Sequence, residues 1–438
     1  MAKQVRKDSK LLFIAHTDNL RGGGELSLIE LIKAAKKRGY KPHIVVPGPG
    51  EFSRKMDHIR VDCTPIKFFY WGRPYSAIEN STNLTAVKKI ADLVTNQNFD
   101  CVITNTLMIP WGALAASITD RPHIWITRET LTLHRSHLYD SYEFIEAYSN
   151  IVIANSRDNA TYLQREIGMK NVKQFYSYVD PQGLRMNSHQ LKPRIVNIAA
   201  HIRPSKDQFE IVQALGELEK RNQLNIKTVF VGGYSDKDEY FQKIQSSILQ
   251  NNLVKKVSFV GFHPRPFELV GPNDIFVRSS KYESLGRTIT EAMKLGLICV
   301  AADIPSSQEA FELGGGTLYK SGDPENLANV LQRIINEPNN FRGVARQAKK
   351  RSLRNLSEKA CHQPFFTELE GTINQRNPRR ELQYIFPHLV SSLEALKDLE
   401  ETTAYYKGLA EKRQCDIVNI TNSKGWKAVL FARKVLGR

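Results

Sequence analysis

The segment Phe276-Val-Arg-Ser-Ser-Lys-Tyr-Glu283-Ser-Leu-Gly286-Arg-Thr-Ile-Thr-Glu291-Ala-Met293 carries the decisive information. Its start reads as the end of a buried strand closing near Val277. A polar loop with Gly286 follows, and a helix starts around Arg287 or Thr288. The free N–H groups and dipole of a helix start form an anion site, and Gly286 allows the backbone to approach a ligand closely. Glu283 precedes the helix, and Glu291 lies about one turn into it. Carboxylates do not bind phosphate, so these two suit sugar hydroxyls on either side of a phosphate group. Spacing alone favours a solvated or first-turn glutamate pair.

The same strand–loop–helix unit recurs outward in both directions. Leu11–His16, His43–Pro47, Cys101–Asn105, His123–Thr127 and Ile151–Asn155 read as buried parallel strands, apolar without polar alternation. Between them lie helical patterns such as Glu25–Arg38, stopped by Gly39. A second series contains Ile195–Ala200, Thr228–Val231, Val257–Val260, Asp274–Val277 and Ile298–Ala301, alternating with helices such as Phe209–Lys220 and Thr288–Leu295. Tyr178–Pro193 reads as the linker. The expected fold class is α/β: two doubly wound, parallel-sheet, Rossmann-like domains facing a cleft, with ligands beyond the carboxyl ends of the strands. The expected boundaries are 1–185, 186–373 and a helical, basic extension at 374–438. In that extension Leu389–Ala410 has helical periodicity, too short to define an oligomer, and the oligomeric state is left open.

Composition narrows the class. The chain has 438 residues, 41% apolar and 24% charged, normal for a globular protein. No apolar run is long enough to span a membrane, and the short Leu11–His16 run reads as a first strand rather than a signal peptide. The five scattered cysteines form no metal-ligand spacing and fit a reducing cytoplasm. A formal charge of +17 points to anionic partners. Lys424, Lys427, Arg433, Lys434 and Arg438 surround Trp426, Leu430 and Phe431 with no acidic residue between, a composition suited to an anionic membrane surface or to a basic helix on the protein body. No nucleic-acid module is recognised.

Ser280, Glu283, Gly286, Glu291, Ala292 and Met293 resemble the E-x7-E motif of retaining GT-B glycosyltransferases, in the form common in family 4. Gly296 and Leu297–Asp303 resemble the stretch that follows in the family, with Ile298 in place of its proline, and Glu309 stands where the family has a glutamate. Arg21-Gly-Gly-Gly-Glu25 resembles the amino-terminal glycine loop of the family, which marks Gly23 and Gly24 as donor-binding positions. Ile198–Asp207 resembles its Gly-Arg-Leu-x-x-x-Lys-Gly segment. There Lys206 matches, but His201 occupies the arginine position and Arg203 lies two residues on, so either is open as the second cation. Arg128 and Glu129 occupy the place of an Arg-Glu pair in some polysaccharide-assembling relatives, with His134 a further candidate.

The resemblance covers about Leu11 to Thr372. It implies transfer from a nucleotide-sugar substrate, with retention and with neither bound metal nor other cofactor. Catalytic positions by resemblance are Glu283, Lys206, Arg128 and Glu129. Glu283 would contact the donor sugar, the amides of Ser284, Leu285, Gly286 and Arg287 its diphosphate, and Glu291 its ribose. The departing phosphate is expected to take the acceptor proton. The implied setting is extension of a saccharide or lipid-linked saccharide during bacterial surface polysaccharide synthesis, in the cytoplasm or peripherally at the inner face of the plasma membrane. A GT-B epimerase or phosphorylase, or a non-catalytic basic protein of the membrane surface, remains the alternative.

Overall fold

The computed structural model describes residues 8–71, 76–129, 139–379 and 381–423. His134 and Lys424–Arg438 therefore lie outside the described residues.

The amino-terminal domain is built as β1 (Lys10–Ile14), α1 (Gly23–Lys37), β2 (Lys41–Val46), α2 (Glu51–His58), β3 (Asp62–Pro65), α3 (Ala77–Gln97), β4 (Cys101–Thr104), α4 (Trp111–Ile118), β5 (His123–Thr127), α5 (Tyr139–Ala147), β6 (Ile151–Ala154), α6 (Arg157–Thr161) and β7 (Val172–Gln174). Its sheet runs β3-β2-β1-β4-β5-β6-β7 and is parallel throughout. The apolar runs behave as double-sided packing requires. In β1, Leu11 and Phe13 enter the core under α1, and Leu12 and Ile14 enter the core under α3 and α4.

The second domain repeats the plan with β8 (Arg194–His201), α7 (Gln208–Lys220), β9 (Lys227–Gly233), α8 (Glu239–Gln250), β10 (Val257–Gly261), β11 (Ile275–Arg278), α9 (Arg287–Leu295), β12 (Ile298–Ala302), α10 (Pro305–Leu313), β13 (Thr317–Tyr319), α11 (Pro324–Asn336) and α12 (Pro338–Asn355). Its parallel sheet has the order β10-β9-β8-β11-β12-β13. In each sheet the winding direction reverses beside the first strand, between β1 and β4 and between β8 and β11. Such switch points leave a crevice beyond the strand ends, and the two crevices face each other.

One feature departs from the expected boundary at 373. After α12 the chain crosses back, and α13 (Glu358–Thr372) packs on the first domain: Phe365, Phe366 and Leu369 lie in the core beneath α1. Arg38 lies over the Phe366 ring at 4.0 Å, and Lys37 pairs with Glu358 at 3.1 Å. Each buried apolar side chain of this kind contributes roughly 1.5–3 kcal/mol. The interface is thus hydrophobic, which an arrangement of strands and helices in sequence order does not reveal. Beyond it, α14 (Leu382–Asn422) packs along α3 and α4. No helix among the described residues is long and apolar enough to cross a membrane.

Candidate functional site

The amino-terminal wall starts where β1 ends. The chain turns through Asp18–Gly22, and α1 begins at Gly23 with Gly22 as its N-cap and no side-chain cap. Its first amides are therefore open to a ligand. The glycines differ in how tightly they are enclosed. A Cβ on Gly22 would lie 2.3 Å from Glu25 Oε2, and one on Gly23 would lie 3.2 Å from Arg287 Cβ of the other domain. One on Gly24 would meet Arg128 Cγ at 3.7 Å. Glu25 is buried and pairs with His16 at 3.3 Å.

The opposite wall is made by the loops after β8 and β11. Beyond β8 a tight turn at Pro204–Lys206 ends in Asp207, whose φ is 45°. That turn aims Lys206 at the loop after β11, where its Nζ hydrogen-bonds the Glu283 carboxylate. Burial pushes Glu283 up, but Lys206, Arg278 and Arg203 outweigh it and hold the carboxyl below its ordinary range. Gly286 has φ +85°, a conformation that favours glycine. It brings the chain into α9 without a side-chain cap, and Arg287 and Thr288 of the first turn line the cleft. One turn on, Arg287 Nε donates to Glu291 Oε1 at 2.8 Å. Burial raises Glu291, with Arg287 opposing.

Between the walls is a cleft of about 800 Å³. Of the residues given catalytic or donor-binding roles from the sequence, Gly23, Arg203, Lys206, Glu283, Arg287 and Glu291 line it. The others lie elsewhere. His201 is exposed at the end of β8 and does not line the cleft, whereas Arg203 does. Ser284 turns to the first domain, donating from Oγ to Asn155 Oδ1 and accepting from Asn159 Nδ2 at 3.3 Å. Leu285 is buried, with its carbonyl taken by Arg278, and Gly24 and Gly286 are half-buried and do not line the cleft.

Arg128 and Glu129 also lie outside this cleft. The Glu129 carboxylate accepts from the amides of Leu107, at 3.1 Å, and Arg128, at 2.9 Å, and from the Thr106 hydroxyl. These bonds give it the work of fixing the β4 and β5 loop ends. Arg128 donates from Nε to Asn105 at 3.0 Å and from Nη1 to Ser177 at 2.5 Å. Burial pulls its guanidinium down to about 10, against the raising charges of Glu129 and Glu25.

Two groups escaped sequence reading. Arg278, the last residue of β11, is buried and lines the cleft; the available signal was a cation closing an otherwise apolar strand. Arg157 bridges the domains, with its amide on Glu309 at 2.8 Å and its guanidinium on Glu309 and Glu312. This gives Glu309 a place in the contact between the two domains.

Two parallel doubly wound domains, with cations and an open helix N-terminus on one side of a shared cleft and a glycine turn on the other, define the GT-B class. Residues 21–182 match the family model described as Glycosyltransferase Family 4, and residues 184–351 match that described as Glycosyl transferases group 1. The chain thus has the GT-B architecture, with one glycosyltransferase domain model matching on each side of the cleft. An uncharacterized glycosyltransferase of Methanocaldococcus jannaschii is 21% identical over 197 residues, 41% of this chain and 47% of that protein. The chain thus matches about half the length of this curated relative. Among solved structures, Anabaena HepE in complex with UDP and glucose superposes with a TM-score of 0.69 at 21% identity, covering 83% of this chain and 100% of that one. Sucrose-phosphate synthase from Thermosynechococcus elongatus gives 0.65 at 15% identity, covering 83% and 98%. S. aureus TarM bound to fondaparinux, α-GlcNAc-glycerol and UDP gives 0.62 at 12% identity, covering 84% and 100%.

Proposed function

We propose that this chain transfers a sugar, with retention of configuration, from a nucleoside-diphosphate sugar to a saccharide or lipid-linked saccharide acceptor. The observation that carries the reading is the convergence of Lys206, Arg203, Glu283, Glu291 and the uncapped start of α9 on one interdomain cleft. In this reading the diphosphate lies at the α9 N-terminus with Lys206 and Arg203. They stabilise the charge that develops as the glycosidic bond to phosphate breaks. Of the two cations left open by the sequence, Arg203 is favoured because it lines the cleft. Glu283 accepts hydrogen bonds from the donor sugar, and Glu291 from the ribose. The departing phosphate oxygen takes the proton of the attacking acceptor hydroxyl. With the leaving group stabilised by side chains and amides, we expect turnover to persist in EDTA.

Nucleotides and saccharides in the neighbours' complexes, UDP and glucose in HepE and UDP with fondaparinux in TarM, support this substrate class. The biological setting we infer is bacterial surface polysaccharide assembly in the cytoplasm, with the basic carboxyl-terminal stretch resting on the inner membrane surface. The test is a thermal-shift screen of UDP-, GDP-, dTDP- and ADP-sugars, in which a donor raises the melting temperature by mass action, followed by turnover with the selected donor. Lys206→Ala is expected to abolish transfer and leave the fold intact; near-normal turnover in that variant would sink the diphosphate assignment.

A further inference from the structure

Lys206 and Arg278 both act on Glu283, but they are held in different ways. Lys206 reaches the carboxylate on a flexible side chain from a surface turn. Arg278 is buried at the end of β11. Its Nη1 donates to Leu285 O at 3.0 Å, its Nη2 donates to Ser307 Oγ on α10 at 2.7 Å, and its Nε is buried with no partner among the described residues. The guanidinium occupies the space that a side chain on Gly286 would need, since a Cβ there would lie 2.2 Å from Nη1. Arg278 therefore fixes the turn that opens the α9 N-terminus, and it cannot swing away.

This difference matters once an anion enters. A diphosphate in the cleft competes with Glu283 for the mobile Lys206 ammonium. The charged groups acting on Glu283 are Lys206 and Arg203 from the loop after β8 and Arg278 from β11. When Lys206 turns to the phosphates, Glu283 is left half-buried beside a polyanion, which favours its neutral form. We propose that Arg278 is a positioning residue: the fixed cation that keeps Glu283 charged, and the turn before α9 in place, while the diphosphate draws Lys206 away. The proposal rests on the donor-site reading given above.

The probe is inorganic pyrophosphate, titrated calorimetrically into the full chain near about pH 6, above the ordinary glutamate range. Runs in two buffers of different ionisation enthalpy count protons taken up on binding. The wild type is expected to bind, with affinity lost in Lys206→Met. Arg278→Leu is expected to bind on the order of tenfold more weakly and to take up additional protons, approaching one per site, relative to wild type. That extra uptake should vanish in the double variant Arg278→Leu/Glu283→Gln and be largely reversed in Arg278→Lys. A purely structural role for Arg278 would lower affinity without changing the proton count. An unchanged count in Arg278→Leu overturns the inference while leaving the donor site standing. Failure of the wild type to bind, or undiminished binding by Lys206→Met, overturns the donor-site reading and this inference with it. If Arg278→Leu does not fold, Arg278→Gln keeps a donor toward Leu285 O without the charge, and the same added uptake is expected.

Discussion

Replacing Gly286 with alanine tests the geometry of the proposed donor wall directly. Two costs arise. The backbone has φ +85° and ψ 116°, a region that costs a residue with a Cβ on the order of 1–3 kcal/mol. The new Cβ would also lie 2.2 Å from Arg278 Nη1 and 3.1 Å from Glu283 Cγ. The guanidinium is buried and anchored, so relief requires breaking its bond to Leu285 O, and a hydrogen bond to a charged group is worth about 1.5–3 kcal/mol. Together these predict a loss of about 2.5–6 kcal/mol in the second domain. Urea unfolding followed by far-UV circular dichroism is the suitable assay, because it reports on the helices of both domains, whereas Trp71, Trp111 and Trp125 all lie in the first. Gly343→Ala is the internal control: Gly343 sits within α12 with nothing within 4 Å of its built Cβ. That change is expected to stabilise the same domain by up to about 1 kcal/mol. A Gly286→Ala protein within about 0.5 kcal/mol of wild type, the scatter of ordinary surface changes, would refute the account of the turn.

Two further outcomes follow from other parts of the chain. His123 is fully buried between Thr104 Oγ1, at 2.8 Å, and Ser149 Oγ, at 3.0 Å, and burial lowers its pKa to about 3 from 6.5. The unfolded chain therefore binds a proton that the folded chain refuses. The stabilising contribution is complete above pH 6.5 and is lost as pH falls toward 3, at about 1.4 kcal/mol per unit at most; melting curves of wild type and His123→Gln should converge as the buffer is acidified, and parallel curves would count against it. Deleting Lys424–Arg438 is expected to move the protein from liposomes containing anionic lipid to the supernatant in a sedimentation assay, and unchanged partitioning would refute membrane contact through this stretch.

The sequence made the central strands legible because burial on both faces demands unbroken apolar runs. Leu11–Ile14, Cys101–Thr104 and Ile298–Ala302 are buried along almost their whole length. The strands it did not yield are those at or near the sheet edges. β3, β7 and β13 are three or four residues long and partly exposed, so Asp62–Pro65, Val172–Gln174 and Thr317–Tyr319 carry too few apolar positions to stand out. The site divides along a similar line. Glu283, Gly286 and Glu291 share one strand–loop–helix unit, and their spacing is set locally. Whether His201 or Arg203 enters the cleft depends on the path of a turn ended by Asp207 in a left-handed conformation, which the order of residues alone does not reveal. The Arg-Glu pair at 128 and 129 reads as a charged couple in sequence, yet its partners Thr106, Asn105 and Ser177 come from other loops.

Helix α9 links these levels. Its amino-terminal turn holds Arg287 and Glu291 at the cleft, and Arg287 Nη1 also reaches Ser27 of α1 and the carbonyl of Tyr178, both at 3.4 Å. Its last turn holds Lys294, which is buried and donates to Val179 O at 2.7 Å and Leu356 O at 2.8 Å. Val179 lies in the outgoing crossover between the domains, and Leu356 lies at the start of the returning one. Burial pulls the Lys294 ammonium down to about 8, while the two carbonyls favour its charged form. One short helix therefore touches the cleft at one end and both interdomain crossovers at the other. Its amino-terminal end cannot shift without straining contacts that set the relation of the two domains, so in the proposed reading a diphosphate drawn to the α9 N-terminus acts on the same rigid element that ties the crossovers together.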